Sequence, residues 1–348
     1  MVWPFRSPAV PPAQASSQPA DCVHVVSPFG NAVGGSEWHA LNLARALRRA
    51  GHVVELWCNH REIVAPFDAM PEIRRTGPGP GQAPERGNLV LVGDFWEPGP
   101  WFDAMQPRRI VQVLTVVRSH RHEWFRKVLA RRRCPVEYVF SCDVQRRLYD
   151  LPGAVHPVPI DIDLFRPRAD LVRPDRFVVG RLSRDVEAKH DFVNDPALYT
   201  QLLASGAQVR LMGAHVIRQL LPQGHPGLQL LAAGSEPAPQ FLQGLDCLFF
   251  RTGQAFDTFA MVVFEAMACG LPVVVHRWGG YAEYLTDGLN AFLFDTQSQA
   301  LDILARLQRD PALRERVGRA ARATVETLYG KAANDLRSDF YASAAPTR

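Results

Sequence analysis

The segment 257–283 (DTFAMVVFEAMACGLPVVVHRWGGYAE) carries the residues best suited to chemistry. Two acids, Asp257 and Glu265, flank the first part of a short apolar helix, and a Gly-Leu-Pro stop, an apolar strand and Gly279-Gly280 follow. Carboxylates accept hydrogen bonds from hydroxyl groups, and glycine turns at helix N-termini expose N–H groups that bind phosphate. The pattern therefore indicates a site that holds a sugar by its hydroxyls and a diphosphate by backbone N–H groups.

The two acids differ in how strongly the residues alone point to a ligand. Glu265 lies in the middle of the apolar helix, where a carboxylate is costly to bury without partners. It is therefore predicted to accept hydrogen bonds from vicinal ribose hydroxyls as an ionised group, not to act as a catalytic acid. Asp257 precedes the helix and is explained equally well as an N-cap or first-turn acid.

Basic residues cluster after a predicted strand in the second half of the chain. The strand RFVVGRL ends near Arg181, and Arg184 and Lys189 follow within a few positions. A diphosphate leaving group gains negative charge as its bond to carbon breaks, and cations aimed at it stabilise that charge. The alternative is that these are surface charges in a polar loop.

Gly34-Gly35 follows the first strand and opens a helix, a place where the backbone can approach an anion. It matches neither GxGxxG nor a phosphate-loop motif, so an ordinary loop is the alternative. Metal ligation is not indicated, because the six cysteines form no CxxC, and His120 and His122 make only an HxH. Asp161 and Asp163 form a DxD, a pattern that can hold a divalent ion on a nucleotide sugar, but they lie in the linker. We therefore predict neither a metal nor a cofactor.

Strand, glycine-bearing turn and helix alternate along two stretches of the chain, which a proline-rich linker (156–167) separates. This alternation predicts an α/β protein of two Rossmann-like, doubly wound domains facing each other across a cleft. Their predicted bounds are 21–167 and 168–330, after a disordered tail at 1–20. Residues 331–348 are expected to form a helix that packs back on the N-terminal domain.

Charge and composition narrow the class of partner. A chain of 348 residues with a net charge of +4 gives no indication of nucleic-acid binding. Its unpaired cysteines in apolar runs favour a reducing, cytoplasmic compartment. The segment 118–133 is rich in Arg and Lys against one Glu. It is either a solvated helix face, an anionic-substrate patch or a peripheral contact with anionic lipid on the inner face of the cell membrane.

Taken together, these residues resemble the family 4 retaining glycosyltransferases of GT-B fold over roughly residues 22–341. The run FEAMACGLPVVVHRWGGYAE is similar to that family's EAMA-x-G-x-P-V-V and GG-x-x-E motifs. The sequence GRLSRDVEAKH resembles its G-R…K diphosphate site. The opening GGSEWHALNLARALRRAGHVV and the linker HPVPIDIDLFRP are similar to further segments of the family.

The resemblance implies transfer of a sugar, with retention, from a nucleotide-diphosphate sugar in the C-terminal domain to an acceptor hydroxyl in the N-terminal domain, without metal. It implies that Asp257, Arg181 and Lys189 are catalytic and that Asp94 or His120 meets the acceptor. The implied donor-binding residues are Gly34, Gly35, Arg181, Arg184, Lys189, Gly213, Gly234, Phe259, Ala260, Met261 and Glu265.

Two positions depart from the family pattern, and the histidine that the family often has near the acceptor is absent from 113–119, with His120 as the nearest candidate. Asp257 stands where the family has a glutamate, which shortens the first acid by one methylene. Ala260 stands where a glycine is usual, which adds a methyl group beside the expected sugar. An alternative is therefore a catalytically degenerate GT-B protein that binds a nucleotide sugar or a partner glycosyltransferase. A dinucleotide oxidoreductase is disfavoured, since GxGxxG with a following acid is absent from the sequence.

Overall fold

A computed structural model describes residues 22–77, 81–117, 121–167 and 176–343. The predicted tail at 1–20 and His120 lie outside these residues. The chain divides into two compact units, residues 1–159 with 331–348 and residues 160–330. This division precedes the predicted boundary at 167/168, because Arg322 of the second unit donates hydrogen bonds to the carbonyl oxygens of Ile162 (3.1 Å) and Phe165 (2.9 Å).

Strands and helices alternate as the sequence pattern predicts. The strands are β1 Val23–Ser27, β2 Val54–Cys58, β3 Ile73–Arg75, β4 Arg86–Val92, β5 Gln106–Val113, β6 Val136–Phe140, β7 Ala154–Val155, β8 Val178–Leu182, β9 Gln208–Met212, β10 Leu228–Leu231, β11 Cys247–Phe250, β12 Val273–His276 and β13 Phe292–Phe294. The α-helices are α1 Gly35–Arg49, α2 Pro100–Ala104, α3 His122–Leu129, α4 Asp143–Tyr149, α5 Asn194–Ala204, α6 Ala238–Gln243, α7 Met261–Ala268, α8 Gln297–Arg309, α9 Pro311–Tyr329 and α10 Lys331–Ala342.

Each unit contains one parallel sheet. The first has the order β3-β2-β1-β4-β5-β6-β7 and the second the order β10-β9-β8-β11-β12-β13. In both, the chain runs outward from a central strand and then crosses over to the other side, which is the Rossmann order. The crossover leaves a switch point between β1 and β4 in the first sheet and between β8 and β11 in the second. In such sheets ligands bind beyond the carboxyl ends of the strands at this point.

The strands are apolar on both faces because helices cover both sides of each sheet. In β1, Val23 and Val25 belong to one buried cluster, whereas Val26 belongs to the cluster on the opposite face. Helix α10 lies in the first unit, where Tyr341 is buried and its carbonyl accepts a hydrogen bond of 2.9 Å from Asn88 Nδ2. None of the helices in the described residues has the length and low charge needed to cross a membrane.

Candidate functional site

Three of the predicted site residues of the second unit lie at the switch point of its sheet. Arg181 is the penultimate residue of β8, Lys189 lies in the 3₁₀ turn that follows, and Asp257 lies in the loop between β11 and α7. Residues separated by nearly eighty positions are thus brought to the carboxyl edge of neighbouring strands, because β8 pairs with β11 in parallel.

Lys189 and Asp257 are in direct contact. The Lys189 Nζ lies 2.5 Å from Asp257 Oδ2, and both side chains are about one-fifth exposed. The Asp257 carbonyl accepts a hydrogen bond of 2.9 Å from the N–H of Gly280. Asp257 therefore joins the basic turn after β8 to the glycine turn after β12. It does not cap α7, whose N-cap residue is Ala260, so the N-cap interpretation of Asp257 is not what the structure has.

Arg181 is fully buried and contacts protein groups. Its Nη2 donates hydrogen bonds to the carbonyl oxygens of Lys189 and Arg251, the latter at 2.8 Å. Its Nη1 lies 3.5 Å from Asp195 Oδ2. These contacts fix the turn that carries Lys189 against the loop after β11, so the geometry gives Arg181 a positioning role. A direct contact with diphosphate stays a prediction.

The sequence reading missed the buried partners of Arg181. Asp195 lies between Arg181 and Arg251, with its Oδ1 3.4 Å from Arg251 Nη1, and Asp191 Oδ2 lies 3.5 Å from the same nitrogen. Arg251 directly follows β11, and Arg181 lies near the carboxyl end of β8, so an arginine near the end of each strand was the available sequence signal. Removing one partner from such a buried network typically costs about 3–5 kcal/mol.

Ala260 has the left-handed backbone conformation, with φ +52° and ψ 72°. Its methyl group is strained there by about 1 kcal/mol relative to glycine. Ala260 is the N-cap residue of α7 and its side chain makes no capping hydrogen bond, at the place where Phe259, Ala260 and Met261 were predicted to contact the donor. The backbone at this position therefore keeps the conformation that glycine favours, although the residue is alanine.

Glu265 is half-buried on α7. Desolvation raises its pKa to about 7, and no hydrogen bond or ion pair to its carboxylate is found within the described residues. A half-buried acid without a cation or hydrogen-bond donor carries an uncompensated desolvation cost, which is typical of ligand-binding sites. This is the environment expected for a group whose partners are hydroxyls of a ligand.

Gly213 and Gly234, predicted beside the base, both have positive φ (+82° and +75°). At Gly213 a Cβ atom would lie 1.9 Å from the carbonyl oxygen of Ser183, so the loop after β8 requires glycine there. The Gly213 carbonyl also accepts a hydrogen bond of 3.0 Å from His190 Nε2. Burial lowers the pKa of His190 to about 4, so this imidazole is neutral and anchors the residue next to Lys189. Contact of Gly213 and Gly234 with a base stays a prediction, as does contact of Arg184, whose side chain is exposed, with the donor.

In the first unit, Gly34 is the N-cap of α1, and a Cβ atom there would lie 2.1 Å from Glu37 Oε2. The glycine makes room for the buried carboxylate of Glu37, which also accepts a hydrogen bond of 2.8 Å from Ser36 Oγ. Gly35 is the first helical residue. The positive end of the α1 dipole thus already meets an acid of its own helix, a contact that the sequence reading missed.

Asp94 follows β4 at the carboxyl edge of the first sheet and is 1% exposed. Its Oδ2 has no hydrogen-bond partner among the described residues. Burial raises its pKa to about 6, against the opposing effects of Arg121 and of a hydrogen bond with Tyr149. An incompletely satisfied buried carboxylate beyond a strand end of a Rossmann-like sheet is a candidate ligand-binding group.

Two groups of possible metal ligands have other partners. Asp161 Oδ1 accepts hydrogen bonds from the N–H groups of Asp163 (3.1 Å) and Leu164 (3.2 Å), which closes a turn. Cys22, His24 and Glu55 lie close together at the amino edge of the first sheet. There His24 accepts from Trp57 Nε1 and its other nitrogen contacts the Arg86 carbonyl, while Glu55 pairs with Arg74.

Two α/β units with parallel sheets in Rossmann order are the components of the GT-B fold, as predicted, and solved structures share this fold. HepE of Anabaena, solved in complex with UDP and glucose, superposes with a TM-score of 0.68 and 16% identity, covering 91% of this chain and 98% of its own. WaaG, a glycosyltransferase involved in lipopolysaccharide biosynthesis, superposes with a TM-score of 0.62 and 14% identity, covering 91% and 99%. Likeness at such identity establishes the fold.

Residues 217–324 match the model of the family Glycosyl transferases group 1, in agreement with the resemblance seen in the sequence. D-inositol 3-phosphate glycosyltransferase of Arthrobacter sp. is 43% identical over 67 residues, which are 19% of this chain and 16% of the relative. The enzyme of the same name from Thermomonospora curvata is 33% identical over 229 residues, 57% of this chain and 53% of the relative. The chain thus spans about half or less of the length of these curated relatives.

Proposed function

We propose that the chain is a glycosyltransferase that moves a sugar from a nucleotide-diphosphate sugar to an acceptor hydroxyl with retention of anomeric configuration. The observation that carries the proposal is the cluster of Lys189, Asp257 and the start of α7 at the switch point of the second sheet. The match to glycosyl transferases group 1 supports the reaction class. The complexes of HepE with UDP and UDP-glucose support a nucleotide sugar as donor.

Charge and hydrogen-bonding capacity assign the roles. Lys189 stabilises the negative charge that develops on the departing diphosphate. The N–H groups of Phe259, Ala260 and Met261 and the dipole of α7 bind phosphate or sugar oxygens. Glu265 accepts hydrogen bonds from the ribose hydroxyls. Arg184, Gly213 and Gly234 meet other parts of the donor, and Arg181 positions the turn that carries Lys189.

Donor binding exchanges the partners of Lys189. Its ammonium leaves Asp257 for the diphosphate, and the freed carboxylate of Asp257 accepts hydroxyls of the transferred sugar. Both charged groups stay paired, so the exchange avoids stranding a desolvated charge. Attack then occurs on the face that the leaving phosphate vacates, and this phosphate takes the acceptor proton. Lys189 and the start of α7 supply the positive potential, so no metal is required.

The acceptor is a hydroxyl of a glycan, a lipid-linked sugar or a small molecule, oriented by Asp94 in the first unit.

The proposed setting is the cytoplasmic face of the cell membrane, with peripheral contact through 118–133. Within that segment, α3 carries Arg126 and Lys127 beside Trp124, which is 45% exposed, and such a helix suits an anionic lipid surface. Co-sedimentation with phosphatidylserine vesicles at low salt, lost at high salt, is the expected result; no co-sedimentation at low salt rejects this contact.

A second candidate function is binding without turnover, to a nucleotide sugar or a partner glycosyltransferase. The observations that favour it are the shortened acid Asp257, which already holds Lys189 at 2.5 Å, and the methyl group that Ala260 adds three residues later. In this case the donor would bind, but the sugar would not be positioned for attack.

A ligand screen followed by a turnover assay tests both candidates. UDP-, GDP- and ADP-glucose are added to the full chain, and the ligand that binds the native state raises the melting temperature. Glu265→Ala should abolish that rise and retain the fold, whereas Asp302→Ala, which removes an exposed acid of α8, should preserve it. Donor hydrolysis is then measured with and without a chelator, and no change is expected.

Each outcome of this experiment decides a point. If none of the three nucleotide sugars binds, the proposed function is wrong for these donors. Binding with neither hydrolysis nor transfer supports the second candidate. Activity that a chelator removes and magnesium restores contradicts the metal-independent proposal.

A further inference from the structure

Trp278 is an exposed tryptophan on a fixed backbone beside the proposed donor site. It is 43% exposed, although it lies between the buried strand β12 and the buried Tyr281. Its carbonyl oxygen accepts a hydrogen bond of 3.3 Å from Thr252 Oγ1, in the loop after β11. Two residues later, the N–H of Gly280 donates to the carbonyl of Asp257. The backbone at and just after Trp278 is therefore tied to the loop that carries Asp257.

The residues around Trp278 limit how this turn can move. At Gly279 a Cβ atom would lie 2.1 Å from the ring of Tyr281, so the turn packs closely on that buried ring. The Tyr281 hydroxyl donates to the His276 carbonyl at 2.6 Å. The indole meets the ring of Phe256, the residue before Asp257, at a centroid distance of 5.7 Å and nearly perpendicular. The position of the indole is thus set before any ligand binds.

An exposed indole face near a carboxylate suits the chemistry of a sugar ring. A pyranose presents C–H bonds of partial positive charge on one face, and these pack favourably on the negative face of an aromatic ring. Its hydroxyls need acceptors such as the Asp257 carboxylate. In a nucleotide sugar, the sugar is the group next to the diphosphate. If Lys189 binds the diphosphate, the sugar lies beside Asp257, in the neighbourhood of Trp278.

We propose that Trp278 is the platform on which the sugar ring of the donor packs. This inference rests on the proposed function and adds a residue to it: Trp278 selects donors with a sugar over the free nucleotide. Packing on an indole is worth about one order of magnitude in affinity at most. The indole contributes to sugar binding and takes no part in proton transfer.

Calorimetric titration of UDP and UDP-glucose into the full chain tests the proposal. Trp278→Ala should weaken UDP-glucose binding roughly tenfold and change UDP binding less than about twofold. Trp278→Phe should recover part of the lost affinity, because a smaller aromatic face remains. Leu336→Ala removes an exposed apolar side chain of the first unit that has no role in the proposal, and it should match the wild type for both ligands.

The outcomes separate this inference from the proposed function. If the wild type binds neither ligand, the proposed function is wrong for uridine donors and the inference is rejected with it. If the wild type binds both and Trp278→Ala behaves identically, or loses both equally, only the sugar platform is rejected. A melting temperature of Trp278→Ala close to that of the wild type shows that the loss is local.

Discussion

Lys189 Nζ lies 2.5 Å from Asp257 Oδ2, so the base predicted to hold the diphosphate and the acid predicted to hold the sugar are each other's partner. Both side chains are about one-fifth exposed, so water reaches the pair and screens part of the attraction between the two charges. The pair can therefore separate at low cost when a ligand offers each member a better partner. It belongs to the chemistry of the site more than to the stability of the unit.

Replacing the two members should affect different ligands. Lys189→Met removes the cation for the diphosphate and should weaken UDP and UDP-glucose alike, by tenfold or more. Asp257→Asn frees Lys189 and removes an acceptor for sugar hydroxyls, so it should weaken UDP-glucose and leave UDP bound as tightly as before or more tightly. Calorimetry on both variants checks this, with Lys331→Met as an exposed-lysine control. Equal losses of both ligands in Asp257→Asn would contradict the exchange of partners.

Ala260→Gly should stabilise the protein by about 1 kcal/mol, because glycine adopts φ +52° without the strain of a Cβ atom. The matched control is Ala266→Gly in the same helix, where the alanine is buried and helical, and there the same change should destabilise by about 1 kcal/mol or more. Chemical denaturation measures both. A destabilised Ala260→Gly would show that the methyl group makes contacts that outweigh the strain.

The alternation of strands and helices predicts both sheets, because buried parallel strands and their covering helices leave a direct pattern in the sequence. The same pattern predicts that Lys189 and Asp257 lie at strand ends. It does not reveal that Arg181 points into the unit towards Asp195, since burial of an arginine depends on partners distant in sequence. Nor does it reveal that Glu37 lies against Gly34, because that contact depends on the rotamer of one side chain.

Glu265 should make stability fall as the pH rises. Its pKa is raised from about 4.5 to about 7 in the folded state, so between these values the unfolded chain releases its proton while the folded chain retains it. Stability is therefore lost over pH 4.5–7, at up to about 1.4 kcal/mol per pH unit. Glu265→Gln does not titrate. Its melting temperature relative to the wild type should rise over this window and stay constant above it; a constant difference from pH 4.5 to 8 contradicts the assignment.

Asp94 provides the corresponding test in the first unit, over a different window. Burial raises its pKa from 3.8 to about 6, so the stability that it contributes is present below pH 4 and is lost as the pH rises to about 6. Asp94→Asn should therefore melt higher than the wild type above pH 6 and no higher at pH 4. The control is Asp246→Asn. Asp246 is also buried, but its Oδ2 accepts a hydrogen bond of 2.9 Å from the N–H of Val178, so this change should lower the melting temperature at both pH values. If Asp94→Asn instead lowers the melting temperature above pH 6, groups of the protein already donate hydrogen bonds to the Asp94 carboxylate. Asp94 is then not a binding group for a ligand hydroxyl.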